Sequence, residues 1–354
     1  MYTRMQHALL LTGGLFFVSG VSRAQGYLDL PRASQQAKVM QRIGLTEITI
    51  NYSRPLVNGR KIWGGLEPYG SVWRAGANEN TTIDFSDPVR VEGKPLAKGT
   101  YGLHMIPGEK EWTVIFSKNH SSWGSYTYDP AEDALRVAVT PQASEFHEAL
   151  TYDFDNPKPD STTVTLRWEK LSVPFKVDVN VNEIAQQSLK NQLRGAPKWT
   201  WQGWDEAANY LLASKLSLQD ALKYADQSIV VEERFDNLMT KANVLDALSR
   251  KDDVVSIRKK ALTLANAIQL HSYGRQLQTE GKQQEAFDVF RTNMKKNPNH
   301  WLAHNEAARM ASAQGNFDGA VKEMKLAMAG APFQYKSLLE PLVKRLEAKQ
   351  DINK

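Results

Sequence analysis

The sequence predicts two domains of different class: an all-β antiparallel sandwich followed by an all-α array of tetratricopeptide-like helical repeats. Three observations predict this. Apolar residues recur with a period of two from Glu47 to Val179. The period becomes helical from about Asn182. Within the helical half, a 34-residue repeat is legible. The expected domains are residues 27–180 and 183–354, preceded by a signal peptide over 1–24.

The N-terminal segment has the layout of an export signal. Arg4 supplies positive charge, an apolar run extends from Ala8 to Val21, and Ser22-Arg23-Ala24 offers small residues for cleavage before Gln25. The run is short of the roughly 20 residues that a membrane helix needs. A periplasmic or secreted protein that does not span the membrane after cleavage is therefore expected. The chain has no cysteine, so stability in an oxidising compartment has to come from burial rather than disulfides. Residues 25–180 carry 17 basic and 19 acidic side chains, and residues 181–354 carry 25 and 20. Neither half has the basic stripe that nucleic acid requires, so no nucleic-acid partner is expected.

In the first half, Ile48, Ile50 and Tyr52 alternate with polar residues. So do Trp112, Val114 and Phe116, then Leu135, Val137 and Val139, then Leu150, Tyr152 and Phe154. Val164, Leu166 and Trp168 form a further strand, and Phe175, Val177 and Val179 another. Each run reads as a strand with one wet face. Asp87-Pro88, Glu92-Gly93, Lys98-Gly99, Pro107-Gly108, Asp129-Pro130 and Asn156-Pro157 supply turns between them. About eight or nine short strands of this kind point to a sandwich, with a barrel as the alternative. Gly99 opens a strand on which Tyr101 and Leu103 face inward.

In the second half, Gly274, Leu277, Gly281, Ala286, Phe290 and Pro298 recur as Ala308, Ala311, Gly315, Ala320, Met324 and Pro332. Small residues let paired helices approach, Gly281 ends a helix in a left-handed conformation, and the prolines stop the second helices. Phe290 is expected to fill the groove against the next unit. Upstream, Asp220–Ala225 reads as a second helix and Lys241–Leu245 as a first helix, with Asp252-Asp253 at the following turn. About four helical pairs result, closed by a capping helix over Leu338–Leu346. Trp199, Trp201 and Trp204 mark the entry to this half, either packing its first helix or gripping a ligand.

The densest stretch runs from Tyr52 to Asn80 and holds Arg54, Arg60, Trp63, Trp73, Arg74, Asn78 and Glu79. Long connections without regular structure are often functional. Arginine beside an aromatic ring suits an anion, a peptide end or a sugar. The fastening of a long loop, through arginine bonds to carbonyls and tryptophans in gaps, accounts for the same residues and fits them better. These seven are the candidate ligand-binding residues, and no catalytic set can be named. A zinc site from His104, His120 and Glu79, and a pair at His300 and His304, are formally allowed by residue type. Separate structural roles fit those histidines better, so no metal and no cofactor is expected. There is no Gly-x-Ser-x-Gly elbow, no His-Glu-x-x-His, and no phosphate loop.

The motifs Pro31-Arg32-Ala33-Ser34, Tyr52-Ser53-Arg54-Pro55, Gly59-Arg60, Ile62-Trp63-Gly64 and Pro68-Tyr69-Gly70 share a further resemblance. With them go Val72-Trp73-Arg74, Gly76-Ala77-Asn78-Glu79, Gly99-Thr100-Tyr101, Trp123-Gly124, Asp133, Leu135 and Arg136. Over about Leu30–Val179 the sequence resembles the DUF2911 family of exported bacterial proteins, some of which carry appended tetratricopeptide repeats. The resemblance implies export and a β domain, and carries no known chemistry. The expected function is a non-catalytic interaction or scaffold protein that binds a peptide or protein partner in the helical-repeat groove, with room for a small ligand in the β half. An envelope or glycan hydrolase at the Arg/Trp loop, and a carbohydrate-binding module, are the alternatives.

Overall fold

A computed structural model of the chain describes residues 30–353; the expected signal peptide and its cleavage site lie outside the described residues. The chain divides into two compact units between Ile184 and Ala185.

The first unit contains ten strands: β1 (Gln35–Ile43), β2 (Thr46–Arg54), β3 (Thr82–Phe85), β4 (Val89–Val91), β5 (Lys94–Leu96), β6 (Gly99–Ile106), β7 (Trp112–Ser117), β8 (Asp133–Val139), β9 (Gln142–Asp155) and β10 (Ser161–Val179). They build a six-stranded sheet, β1-β2-β3-β6-β7-β8, and a four-stranded sheet, β5-β4-β10-β9. All of the paired strands run antiparallel. One core joins the inner faces, with Tyr52 edge-on to Tyr152 at 4.9 Å and Phe116 edge-on to Phe175 at 5.8 Å. This is the sandwich that the period of two predicts, and Tyr101 and Leu103 point into it.

Two strand expectations change. Val164–Trp168 and Phe175–Val179 belong to the single strand β10, which runs on through Pro174 because that residue falls between the part paired with β9 and the part paired with β4. Its N-terminal part pairs with β9 and its C-terminal part with β4. Within the pairing with β9, Glu169, at φ 55°, sits between two register shifts as a bulge. β1 lies upstream of the expected strands. It is an edge strand whose Ala37 and Val39 only lean on the core, so its apolar alternation is faint.

The second unit is helical. A helix, α1 (Val181–Gln192), spans the division and leads to α2 (Trp201–Ala213), α3 (Leu218–Val231), α4 (Phe235–Ala247), α5 (Lys251–Leu264), α6 (Ala267–Thr279), α7 (Gln283–Lys296), α8 (Trp301–Ala313), α9 (Phe317–Gly330) and α10 (Phe333–Glu347). From α2 to α9 these form four antiparallel pairs, and α10 closes the array. The 34-residue period is literal in the last two pairs: α6 and α8 start at 267 and 301, and α7 and α9 at 283 and 317. Gly281 and Gly315 turn at φ 76° and 75°. Pro298 and Pro332 follow the ends of α7 and α9 by two residues.

Phe290 packs within its own pair, against Gly274, where any Cβ would come to 2.3 Å of the ring. The repeat therefore needs glycine at 274 because the large residue sits on the facing helix. Asp252 and Asp253 are not in a turn. They form the first turn of α5, where carboxylates meet the positive end of the helix dipole. Of the entry tryptophans, Trp204 packs on Tyr224, while Trp199 is 75% exposed beneath Lys198.

Candidate functional site

Two isolated bridges, Leu56 to Ala149 and Trp73 to Met105, hold the stretch from Pro55 to Thr81 to strands of the sandwich, while Trp63 to Glu67 closes within the stretch and Glu79 to Trp123 joins it to another loop. β3 pairs with β6 only as far as Gly102, and Trp73 then takes the same edge, exchanging two 2.8 Å bonds with Met105. Arg54 Nε donates to Leu150 O and Nη2 to Thr151 Oγ1, both at 3.0 Å, tying β2 to β9. Arg60 Nε donates to Val57 O at 3.0 Å and closes the turn at Asn58-Gly59. Trp63 and Trp73 are buried and pack edge-on to each other. Trp63 also meets Trp112 edge-on, while Trp73 stacks on Trp168. Their faces are therefore withdrawn from solvent. Trp123 is the exposed tryptophan of the unit, at 54%, and the Arg32 guanidinium lies over its ring at 5.5 Å.

Arg74, Asn78 and Glu79 come together on a second loop, Asn119–Tyr128. Gly124 N–H donates to Asn78 O at 3.3 Å, and Asn80 N–H donates to Ser122 O at 3.1 Å. Gly124 leaves no room for a Cβ beside Arg74 Nη1. Glu79 pairs with Arg32, while its second oxygen and Arg74 Nε are buried without hydrogen-bond partners. Asn78 adopts φ 61° and Ala75 φ 51°, so the backbone is left-handed at both ends of this short run.

This loop also covers part of the outer face of the six-stranded sheet. His104 on β6 and Arg136 on β8 flank Ile115 of β7 in register, so both point outward beneath it. His104 is 3% exposed, and its Nδ1 lies 3.0 Å from Ser125 Oγ. Burial pushes its pKa down to about 4, against the nearby Asp133, which raises it. The ring is thus neutral and a weak base at pH 7. Tyr128 Oη donates to Asp133 Oδ2 at 2.7 Å, and Arg136 reaches both groups. Burial together with Asp133 raises the Tyr128 phenol to about 12. Glu67 is another group whose ionisation is displaced: burial raises its carboxyl to about 7, although Arg74 and Arg60 pull it down.

The structure thus separates the predicted set. Arg54, Arg60, Trp63 and Trp73 fasten the chain to itself. Arg74, Asn78 and Glu79 share one neighbourhood with His104. Glu67, Ser125 and Tyr128 are not singled out by the sequence, although Trp123-Gly124 marks the loop of the last two and Glu67 lies within the Tyr52–Asn80 stretch. His120 takes no part in the His104 cluster, and no group of three or more His, Asp and Glu able to hold a metal occurs among the described residues. His300 caps α8 by accepting from Leu302 N–H, and His304 pairs with Glu323 at 2.7 Å. A polar hollow of about 520 Å³ elsewhere in the β unit is lined by Gln142, Thr165, Arg167 and Lys176, and by none of the predicted residues.

The helical unit holds a second constellation. The first helices of successive pairs stand side by side and touch through polar groups. Asn209 of α2 donates to Thr240 of α4 at 2.9 Å, Gln269 of α6 donates to Asp236 of α4 at 2.9 Å, and His271 of α6 lies 3.1 Å from Glu306 of α8. A hollow of about 380 Å³ is lined by Leu212 of α2, Asn243 and Asp246 of α4, Arg258 of α5, and Tyr273 and Gln276 of α6. Glu306 is fully buried and accepts from Asn293 at 2.7 Å. Burial raises its carboxyl to about 8 and lowers the His271 imidazole to about 3, so a neutral acid faces a neutral ring. No helix among the described residues is long and apolar enough to cross a membrane.

Residues 34–177 match the model of a family described as "Protein of unknown function (DUF2911)", in the span where the motifs predicted it. No curated protein matches the chain. Among solved structures, YrrB, titled a TPR protein with an unusual peptide-binding site, shares 18% identity over 46% of this chain and 85% of its own, at a TM-score of 0.28. The Cut9–Hcn1 structure of the APC/C hetero-tetramer shares 13% over 47% of this chain and 33% of its own, at 0.31. MamA shares 16% over 41% and 85%, at 0.29. At such scores the likeness is loose.

Proposed function

We propose that this is an exported, non-catalytic interaction protein that holds a peptide or protein segment along the row of α2, α4, α6 and α8. The observation that carries this reading is the row itself. Four first helices stand side by side with polar groups between them, and a hollow is lined by three of them together with α5. Helical pairs stacked in this way present extended surfaces to partners. Export is supported by the apolar run Ala8–Val21 and the small residues Ser22 and Ala24. Arg74, Asn78 and Glu79 are the place in the β unit for a small ligand.

The test is in-cell crosslinking of the tagged chain from the envelope fraction, with the N-terminus of the recovered protein read by mass. Wild type is compared with Asn243→Ala/Gln276→Ala in the row and with Arg74→Ala/Asn78→Ala in the loop. A defined partner lost only by the row variant supports the reading. A partner lost only by the loop variant moves recognition to the β unit, and a chain that keeps residues 1–24 removes cleavage of the signal.

A hydrolase is the second reading, and Ser125 Oγ at 3.0 Å from His104 Nδ1 favours it. It requires the histidine to accept a proton, which its low pKa opposes. Turnover of an envelope substrate that Ser125→Ala abolishes would support that reading, and no turnover by the wild type would end it.

A further inference from the structure

The segment that follows α10 is held as a bound peptide would be. α10 stops at Glu347, Lys349 takes φ 55°, and Asp351–Asn353 doubles back onto the helices. Three side chains grip its main chain. Arg345 Nη2 of α10 donates to Asp351 O at 2.6 Å. Ile352 N–H donates to Ser312 Oγ of α8 at 3.1 Å, and Arg309 Nη1 of α8 donates to Ile352 O at 3.2 Å. Its side chains are held as well. Ser312 Oγ is 3.0 Å from Asp351 Oδ1, Gln278 Nε2 of α6 donates to Asn353 Oδ1 at 2.8 Å, and Asn353 Nδ2 donates to Arg309 O at 2.8 Å. Ile352 is 3% exposed and joins the cluster of Ala308, Leu339, Val343 and Leu346.

Two features set this apart from the ordinary closing of a helix. The receiving groups come from α6, α8 and α10, three successive members of one row, and half of their bonds go to peptide groups that any sequence would present. The receiving positions also repeat. Gln278 and Ser312 are 34 residues apart, as are Arg275 and Arg309. One unit upstream, Arg275 Nη1 donates to Gln278 Oε1 at 2.5 Å, so an arginine that binds carbonyl oxygen in one unit is held by a side-chain amide in the other.

We propose that α6, α8 and α10 form a peptide site for a turn-forming segment carrying an acidic, an aliphatic and a carboxamide side chain in that order, and that Asp351–Asn353, whose Asn353 N–H donates to Asp351 Oδ1 at 3.0 Å, occupies it in cis. The proposal rests on the reading of the array as a peptide holder, and gives that reading a location and a ligand chemistry. A tethered occupant competes at an effective concentration on the order of millimolar, so a partner peptide has to displace it.

The test uses a blocked, fluorescein-labelled peptide with the sequence of residues 346–353, followed by fluorescence anisotropy. The intact chain is compared with the chain carrying Asp351→Gly, Ile352→Gly and Asn353→Gly. The opened variant should bind the peptide at least tenfold more tightly than the intact chain. A peptide carrying Ile352→Ser, or an opened variant with added Ser312→Ala and Arg309→Gln, should lose that binding. Equal binding to both chains, or none to an opened variant with full helical circular dichroism, overturns the proposal. If the opened variant unfolds, hydrogen exchange of the intact chain decides. An Ile352 amide that exchanges faster than the α8 amides supports a segment that leaves by itself. Exchange in step with α8 makes it a fixed cap and overturns the proposal. Partner capture by the α2–α6 part of the row without peptide binding would sink this proposal and leave the broader reading standing; peptide binding without capture would do the reverse.

Discussion

The two units put the same kind of bond, from an arginine to a distant main-chain carbonyl, in different settings. In the β unit, Arg54 and Arg60 bond the chain to itself, and four tryptophans fill one end of the core. In the helical unit, Asn237, Asn293, Glu306 and Arg309 are buried on or beside the row of first helices, and Arg309 reaches the main chain of another segment. The most conspicuous stretch of the sequence is thus largely internal fastening. The polar groups that meet a peptide backbone sit at unremarked helix positions. Residue type alone does not distinguish the two uses, since both exploit the same donors on the same carbonyl acceptors.

The largest way to break this comparison is at the tryptophans. Trp168 is fully buried and packs against Trp63 and Trp73. Trp168→Ala should destabilise the β unit by about 3–5 kcal/mol, the range for deleting a buried large aromatic. Denaturant unfolding followed by near-UV circular dichroism measures it. A loss under about 1 kcal/mol would mean that the cluster is loose and its rings are available to a ligand.

Acid and base should then divide the units. His104 has a folded pKa of about 4 against 6.5 for the free side chain. Between those values the unfolded chain binds the extra proton, so the β unit should lose stability as pH falls from about 6.5 to 4. The full loss is on the order of 3 kcal/mol, and His104→Gln should flatten the profile. Glu306 is displaced the other way, from 4.5 to about 8. Here the folded chain keeps the proton, so stability present at low pH is lost as pH rises toward 8. Glu306→Gln should leave the helical unit at or above wild-type stability at pH 9, because Asn293 keeps an acceptor. Unit-resolved hydrogen exchange across pH separates the two effects, and identical profiles in both units would remove the contrast.

Much of the fold was legible because it follows from period. Ile48, Ile50 and Tyr52 alternate and lie in β2, and the offset from Gly274 to Ala308 places the pairs of the array. β1 was hidden because its inward Ala37 and Val39 are small and half-buried at an edge, which weakens the apolar signal. The candidate site was legible only in part, and the reason is geometric. Arg54 and Arg74 look alike in sequence, but Arg54 ends a strand beside the carbonyls of β9, while Arg74 precedes a short segment, left-handed at Ala75 and Asn78, that meets a second loop about 50 residues away. His104 and Ser125 are brought together only by that loop's path over the sheet, for which the sequence offers just Trp123-Gly124.

A smaller contrast lies within the β unit itself. Arg54→Met should cost about 1.5–3 kcal/mol, because it leaves two part-buried acceptors without a charged donor while the apolar stem stays in place. Chemical denaturation gives this directly, and a cost near zero would return Arg54 to the pool of ligand-facing arginines.

Arg32→Ala should have the smallest effect, although Arg32 makes two contacts of the kind usually counted as stabilising. It pairs with Glu79 and lies over Trp123, yet about a third of each charged side chain is exposed. Exposed pairs contribute about 0–1 kcal/mol, and an exposed cation–π contact adds roughly 0.5–1. High salt should erase the ionic part, since the screening length falls to about 3 Å at 1 M. The expected melting shift is therefore small at low salt and smaller at high salt, and always below that of Arg54→Met. A larger, salt-insensitive loss would mean that Arg32 locks Asn119–Tyr128 over His104, and hydrogen exchange in that loop would then rise in the variant. The same pair of variants thus measures whether the loop is fastened from its rim or from the backbone bonds of Asn78 and Asn80 beneath it.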